Sequence, residues 1–465
     1  MSSQHASQNR FLTVPIGRLF VANALPMMVM MLMSGMLSVV DAAFLGHFVG
    51  PDALAAVSLV FPILMVTIAL STLVSGGMSS LLARQLGAQQ HDDAMAVFAQ
   101  AHGLALFVSM LLIAAFSTVA GFVISQLSGG QADIAQMANN YLAIMIFASP
   151  LQLLLSVHAD AWRNEGHAGL IALMSAGVTL ANVALNYVLI VPLDMGVAGS
   201  ALGTAIAQGA GLVLLVGLRW RGGGILRISG LWKSRWIGGW RPILALGAPV
   251  SLSFIGIALV SATVITTLRL TAGAGYVESV AAYGIVTRIL SFTFLPLMAI
   301  AMATQTIVGH NVGAKFHQRS DAALRMALVV AFVYCALVEA TLLIGHAWIG
   351  GGFVTSPDVI GQVGRILVPM LSLYLFTGPV LVLALYFQAI GRPAQTATLT
   401  LIKPFALSPL LLAGLGCFIG AKAIWFAFPI ADGIIVATAL GVVIATQRHR
   451  DLSKGFGLSP EKQRP

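Results

Sequence analysis

The sequence predicts an all-helical integral membrane protein with twelve transmembrane helices in two six-helix lobes and a central cavity between the lobes. Composition is the first reason: 58% of the 465 residues are hydrophobic and only 8% are Asp, Glu, Lys or Arg, whereas about a quarter of an ordinary soluble domain is charged. The second reason is that apolar stretches of ~20 residues, the length that crosses a bilayer as a helix, recur along the whole chain. The third is an internal repeat.

The twelve apolar stretches follow one another with short breaks. In the first half they are 19–45, 53–82, 95–124, 135–160, 168–192 and 196–218. In the second half they are 243–270, 279–308, 321–346, 361–389, 395–417 and 423–446. The first stretch is too long to be a removable signal peptide, and eleven others follow it, so we expect it to remain as a membrane helix.

Landmarks of the first half recur in the second half at an offset of 223 to 226 residues. They are Pro26 and Pro249, the pairs Gly87-Ala88 and Gly313-Ala314, and Gly166 and Gly391. Each half has an even number of spans, so both halves share one topology and are related by an axis along the membrane normal. This arrangement is typical of transporters that bind their substrate between two lobes and work by alternating access.

The distribution of Lys and Arg predicts the orientation of the chain. If the N terminus lies in the cytoplasm, most of these residues fall on cytoplasmic segments, and only Arg269, Arg365 and Lys422 fall on the opposite side. Positive residues prefer the cytoplasmic side, so we predict that both termini are cytoplasmic in a multi-pass protein of the bacterial inner membrane. The net charge of +9 then reflects orientation and does not indicate a nucleic-acid partner.

These patterns divide the chain into five predicted regions. They are a cytoplasmic tail (1–18), the N-terminal lobe (19–218), an interfacial linker in which Trp alternates with Lys and Arg (219–242), the C-terminal lobe (243–446) and a second cytoplasmic tail (447–465). At the end of helix four, Asp160, Arg163 and Glu165 are close enough in sequence to pair with one another.

Asp41 is the first candidate functional residue, because nothing from Leu19 to Val40 carries a charge. A carboxylate within the apolar zone costs roughly 2.5 to 3.5 kcal/mol on insertion scales and usually has a function. Asn182 and Asn186 project from one face of helix five, since they are four residues apart. Counted from the helix ends, they and Thr204 of helix six lie near the depth of Asp41. We therefore predict one polar site in the N-terminal lobe.

The chain resembles the multidrug and toxic compound extrusion (MATE) family, especially its DinF-like branch. The resemblance covers the full length, and it includes the Pro26 bend, the segment VVDAAFLGHFVGPDALAAVSL, the Gly-Ala loops and NVALNYVLI. It implies that Asp41 couples transport to an ion, with Asn182, Asn186 and Thr204 as partners. Some prokaryotic members carry Asp at the position of Asn186, so this chain has one carboxylate where they have two. Helices seven and ten lack the carboxylates expected of a NorM-like member.

Charged residues also occur inside the second half. Asp432 lies in helix twelve, Arg288 in helix eight and Lys403 in helix eleven. Because opposite charges in a membrane usually pair, we expect Asp432 to pair with Arg288 or Lys403. Candidate residues of the substrate cavity are Met33, Met36, Tyr187, Arg288 and Asp432; flexible thioethers suit ligands of many shapes.

These observations predict a secondary active multidrug antiporter that exports amphipathic, often cationic drugs and dyes in exchange for protons. Sodium stays an alternative, because one carboxylate with amide and hydroxyl oxygens also suits a hard cation. A lipid-linked precursor flippase and a membrane-embedded enzyme are less favoured, since neither a cationic cavity lining nor converging catalytic groups are evident. No phosphate-binding glycine-rich motif, disulfide framework or metal motif occurs. We expect no cofactor, no catalytic residue, contacts with lipids and a functional monomer.

Overall fold

The computed structural model describes residues 9–127, 131–354, 356–448 and 455–456, and every regular element within them is a helix. Ten helices in this part of the chain are long and apolar enough to cross a membrane. Two pairs of shorter helices are also long enough when each bent pair forms one span, which brings the number to twelve. The predicted all-helical membrane fold is confirmed.

Six spans make up the first half and are numbered in chain order. They are α1 (Ile16–Val49), α2 (Pro51–Gly87), α3 (His91–Leu127), α4 (Ala132–Phe147 and Ser149–Asn164), α5 (Ala168–Ile190) and α6 (Gly196–Trp220). The last turn of α1, Leu45–Val49, is a π turn that ends at Gly50. Gly50 has a φ of 120°, which glycine adopts without the penalty of a side chain. Pro51 then begins α2, where a missing backbone N–H costs little.

Six spans also make up the second half. They are α7 (Trp240–Thr271), α8 (Tyr276–Gly313), α9 (His317–Gly345), α10 (Pro357–Leu371 and Tyr374–Ala389), α11 (Pro393–Phe418) and α12 (Ile424–Gln447). A second π turn, Lys403–Leu407, interrupts α11. Short helices between or before the spans are Arg10–Thr13, Ile228–Leu231 and Ile349–Gly352.

Helices α4 and α10 are bent, although their sequences predict continuous spans. The two segments of α4 meet at an angle of 45° and those of α10 at 48°. Pro150 is the second residue after the break in α4, and Pro369 lies just before the break in α10. Proline removes a backbone donor and crowds the preceding turn, which accounts for a break at the fourth span of each half.

Contacts divide the chain into two compact units, Leu25–Ser251 and a unit formed by Met1–Ala24 with Leu252–Pro465. In the first unit α2 packs on α3 and α4. The buried cluster at this contact includes Val74, Met78, Leu82, Phe98 and Leu153. In the second unit α8 packs on α9 and α10, and its buried side chains include Leu297, Ile300 and Ile307.

The boundaries of these units fall inside helices. The first residues of α1, up to Ala24, group with the second half, and the first residues of α7, up to Ser251, group with the first half. Helices cover both ends of the segment 219–242 that we predict as the linker. Arg219 and Trp220 belong to α6, and α7 begins at Trp240.

The predicted N-terminal tail, 1–18, is packed where it is described. Residues 1–8 lie outside the described residues, but Phe11 stacks on His310 with ring centroids 4.1 Å apart. Arg319 Nη2 donates to the backbone carbonyls of Phe11 at 3.3 Å and Val14 at 2.7 Å. The predicted C-terminal tail, 447–465, lies outside the described residues except for 447–448 and 455–456.

Candidate functional site

The first unit contains a polar cluster formed by α1, α5 and α6. Asp41 lies near the C-terminal end of α1, and α5 presents Asn182 and Asn186 from one face, as their spacing predicts. The turn between α5 and α6 is short, so Thr204 returns to the level of the two amides. Asn182 and Asn186 are 1% and 0% exposed. The structure thus brings together all four residues of the predicted N-lobe site.

Hydrogen bonds link these four side chains one after another. Asn186 Nδ2 donates to Asp41 Oδ1 at 2.6 Å and to Asn182 Oδ1 at 3.1 Å. Asn182 Nδ2 donates to Thr204 Oγ1 at 2.9 Å. The Thr204 hydroxyl in turn donates to the backbone carbonyl of Ser200 at 3.1 Å. Every donor in this series of hydrogen bonds has an acceptor, and the series ends at the carboxylate of Asp41.

The Asn182 amide also fits in the reversed orientation, in which its oxygen accepts from the Thr204 backbone N–H at 3.1 Å as well. Reversed, its nitrogen faces Asp41 Oδ1 at 3.1 Å and its oxygen accepts from the Thr204 hydroxyl at 2.9 Å. The same reversal places the nitrogen 3.1 Å from Asn186 Nδ2. An amide nitrogen has no lone pair that can accept a hydrogen bond, so the reversed amide loses the bond from Asn186 Nδ2 to Asn182. Asn186 Nδ2 donates to Asp41 in both orientations, and the reversal exchanges the bond between the two asparagines for one from Asn182 to the carboxylate.

A buried hydrophobic cluster lies in the same part of the first unit. Leu45 of the π turn, Tyr141 of α4, Ile190 of α5 and Ala201 of α6 belong to one buried hydrophobic cluster. These residues lie on the same helices as Asp41, Asn186 and Thr204 or on the neighbouring α4. In a low-dielectric environment, electrostatic interactions of a carboxylate are stronger than in water.

Gly203 of α6 was not predicted from the sequence, yet it determines where Asn186 sits. A Cβ atom at position 203 would overlap Asn186 Oδ1 and would lie 3.4 Å from the Asn186 backbone nitrogen. Asn186 Oδ1 is buried and has no hydrogen-bond partner among the described residues. Glycine at 203 therefore lets α6 approach α5 closely enough to hold the amide with its nitrogen towards Asp41.

We expect Gly203→Ala to lower transport by about tenfold, because the added methyl group displaces Asn186 and weakens a hydrogen bond to a charged group. The rate of dye efflux from cells or proteoliposomes measures this effect. Gly209→Ala is the matched control, since its Cβ would meet only Leu151 Cδ1 at an ordinary 3.6 Å. Equal rates for the two variants would show that the approach at Gly203 is unimportant.

The other first-half candidates lie on α1 and α5. Pro26 lies inside α1, which stays helical on both sides of it; it removes one backbone hydrogen bond there. Met36 and Tyr187 are exposed on the surface of the unit, whereas Met33 is partly buried. The contribution of Met33, Met36 and Tyr187 to a substrate cavity stays a prediction.

In the second half, Asp432 is paired with one of its two expected partners. Lys403 Nζ contacts Asp432 Oδ1 in an ion pair. Arg288 is exposed on α8, and it makes no ion pair within the described parts of the chain. The choice of Lys403 follows from the packing of α11 against α12, which the sequence spacing does not reveal.

Comparison with known proteins identifies the family. The profile of the MatE family matches residues 26–188 and 249–412, which make up most of the chain. The chain belongs to the MatE family. The two matched stretches begin at Pro26 and Pro249, so the family unit occurs twice, in agreement with the internal repeat. Members of this family are transporters and not enzymes.

Relatives of this MatE protein match it over nearly its whole length. It is 24% identical over 436 residues to the FAD transporter of Shewanella oneidensis, covering 90% of this chain and 93% of that protein. It is 25% identical over 443 residues to the multidrug export protein MepA of Staphylococcus aureus, covering 92% and 94%. Its fold matches a MOP superfamily transporter from Pyrococcus furiosus with a TM-score of 0.85 at 21% identity, covering 93% and 96%. The DinF-like branch stays a prediction.

Glu339 is a polar residue of this MatE protein that the sequence reasoning missed. It lies in α9, and its Oε2 accepts the backbone N–H of Leu375 at 2.7 Å, at the break in α10. Nearby, the hydroxyl groups of Tyr374 and Thr293 are hydrogen-bonded at 2.9 Å. A carboxylate deep within the apolar stretch 321–346 was the available signal. Glu339 stabilises the broken helix by satisfying a donor that has no helical partner.

A second missed cluster lies where α3, α4 and α6 of the MatE protein meet. His102 Nε2 and His158 Nε2 are 3.1 Å apart, and both rings are buried. Glu165 was expected to pair near Asp160 and Arg163, but its partner is Arg219, at 2.6 Å. Arg163 does pair with Asp160, at 3.2 Å. No sequence signal places the end of α6 beside α4, so only packing reveals this pair.

Proposed function

We propose that this MatE transporter exports amphipathic, often cationic organic compounds in exchange for protons, with Asp41 as the group that carries the proton. The observation that carries this proposal is the hydrogen bond from Asn186 Nδ2 to Asp41. It joins a single ionisable side chain to a set of neutral amides and a hydroxyl. Within that set, Asp41 is the group whose charge can change.

Protonation of Asp41 changes the contact between α1 and α5. A hydrogen bond that ends on a carboxylate is about twice as strong as one between neutral groups. When a proton neutralises Asp41, the bond from Asn186 weakens and α1 is held less firmly to α5. Pro26, which already lacks one backbone hydrogen bond, offers a place for α1 to bend. A cationic compound paired with the carboxylate loses its partner at the same step.

The orientation of the cluster favours protons over sodium. A sodium ion at Asp41 requires oxygen ligands directed towards it. Asn186 instead directs its nitrogen to Asp41, and the oxygens of Asn182 and Thr204 already accept hydrogen bonds. A sodium ion at Asp41 Oδ1 would compete with the Asn186 donor, whereas a proton on Asp41 requires no change in the Asn186 amide.

The proposed substrate class follows from the relatives and from the site. One relative is described as a multidrug export protein and another as an FAD transporter. A lone carboxylate among apolar groups suits a hydrophobic cation better than a phosphate-bearing compound. We propose that the protein lies in the bacterial inner membrane with both termini in the cytoplasm, in line with the distribution of Lys and Arg. We also propose that it acts as a monomer.

The test uses purified protein in proteoliposomes with an acidic lumen. Adding a cationic dye outside should release protons from the lumen in sodium-free buffer, because dye entry and proton exit are coupled. Sodium should change the initial rate by no more than about twofold, since a driving ion would raise it far more. Dye-driven proton movement that requires sodium would favour sodium coupling. Liposomes without protein control for passive leakage, and FAD in place of the dye tests the other substrate class.

A further inference from the structure

The ion pair between Lys403 and Asp432 joins two membrane-spanning helices of the second half, α11 and α12. The Lys403 side chain is 30% exposed and that of Asp432 is 10% exposed. Ionisable side chains within spans nearly always face the interior of the bundle or a water-filled cavity. Of the two side chains, the lysine is therefore the one that a ligand reaches more easily.

An irregular backbone positions the pair. Lys403 is the first residue of the π turn Lys403–Leu407, and Pro404 follows it. A Cβ at Gly256 of α7 would lie 2.6 Å from Pro404 Cβ and 3.1 Å from the Phe405 ring, so α7 packs its backbone directly against this turn. π turns are rare and often occur at functional sites. The close approach of α7 holds the lysine backbone in place while the head group stays accessible.

The pair retains unused hydrogen-bonding capacity. A lysine ammonium has three donors and a carboxylate accepts several hydrogen bonds. Within the parts of the chain that the structure describes, the contact between Nζ and Oδ1 is the only hydrogen bond of either side chain. Both charged groups can therefore accept a further partner.

We propose that the Lys403–Asp432 pair is a binding subsite for zwitterionic amphiphiles, with the ligand carboxylate on Lys403 and the ligand ammonium on Asp432. A ligand with one charge adds an unmatched charge to a neutral pair in an apolar environment, which is unfavourable. A zwitterion brings one charge for each member of the pair, so the site stays neutral. This subsite rests on the proposed transport of organic compounds and widens its substrate class beyond cations.

The two halves of the transporter then differ in the charges that they offer. The first half has Asp41, whose described partners are neutral, and it suits a cation or a proton. The second half has a matched acid and base, and its net charge does not change when a zwitterion binds. Binding at the second site therefore needs no proton.

Three fluorescent probes with one hydrophobic group test the subsite. Nε-dansyl-lysine is a zwitterion, its methyl ester carries only the positive charge below neutral pH, and its Nα-acetyl derivative carries only the negative charge. Binding to purified protein in nanodiscs is followed by dansyl fluorescence, without an ion gradient. We expect the zwitterion to bind at least about tenfold more tightly than either derivative, which corresponds to about 1.4 kcal/mol.

Variants separate the subsite from general hydrophobic binding. The neutral double variant Lys403→Gln with Asp432→Asn should bind the three probes within about twofold of one another. The exchanged double variant Lys403→Asp with Asp432→Lys keeps both charges and should retain the preference for the zwitterion, which provides a second test if the neutral variant does not fold. Lys422→Gln is the control, because Lys422 is an exposed lysine in the turn between the same helices.

Equal binding of the three probes by the wild type, or no binding of the zwitterion, would overturn the subsite. A preference that persists in the neutral double variant would also overturn it. Failure of the proposed antiport is a separate result, because it appears as absent dye-driven proton release in proteoliposomes. The nanodisc measurement contains no gradient and does not depend on coupling.

Discussion

Replacing Asp41 by Asn should abolish dye-driven proton release and reduce it to the level of liposomes without protein. Asparagine has nearly the same shape as aspartate, and its carbonyl oxygen can still accept the hydrogen bond that Asn186 Nδ2 donates at 2.6 Å. The contact between α1 and α5 is therefore kept in neutral form. The variant removes only the ability to exchange a proton, so folding and membrane insertion should be unchanged.

Asp52→Asn is the matched control for this substitution. Asp52 lies eleven residues further along, in the first turn of α2, and is exposed. It should exchange protons for dye at the wild-type rate. If Asp41→Asn does so as well, Asp41 has a structural role only, and the coupling group must be sought among Glu339 and Asp432 of the second half.

Replacing Arg219 by Met should destabilise the protein by about 3 to 5 kcal/mol, because a buried charge is left without its partner. The Arg219 and Glu165 side chains are both 0% exposed and lie 2.6 Å apart. Arg219 also lies over the rings of Phe98 and Trp162, at 5.0 and 4.7 Å from their centroids. Its loss therefore removes cation–π contacts as well as the ion pair. Thermal unfolding in detergent, followed by tryptophan fluorescence, measures the effect.

The double variant Glu165→Gln with Arg219→Met should recover much of the lost stability, because it leaves no buried charge. Arg221→Met serves as the control, since Arg221 is exposed and two residues away. A melting temperature for Arg219→Met that equals that of Arg221→Met would mean that the Glu165 charge finds another partner or water.

The spans, the repeat and the polar cluster around Asp41 could be predicted from the sequence. A helix in lipid must satisfy its backbone hydrogen bonds internally, so hydropathy and length alone delimit the spans. Helical spacing then places Asn182 and Asn186 on one face, and counting residues from the helix ends places Asp41 and Thr204 at their level. Each of these inferences depends on geometry within a single helix.

The sequence was less informative wherever the result depends on which helices are neighbours. It left Asp432 with two possible partners, Arg288 and Lys403, and packing of α11 on α12 selected Lys403. It placed Glu165 with its neighbours in sequence, whereas the folded chain pairs it with Arg219, fifty-four residues away. It also gave no role to Gly203, whose importance lies in the distance between two helix backbones.

Hydropathy, span length and the internal repeat were enough to predict a twelve-span membrane transporter with one conspicuous acid, Asp41. The contact of Glu339 with the break in α10 and the ion pairs Lys403–Asp432 and Arg219–Glu165 depend on tertiary packing. The spans could be predicted because hydrophobicity and helical periodicity are local properties of the chain. The partner of a buried polar group depends on the packing of helices that are distant in sequence.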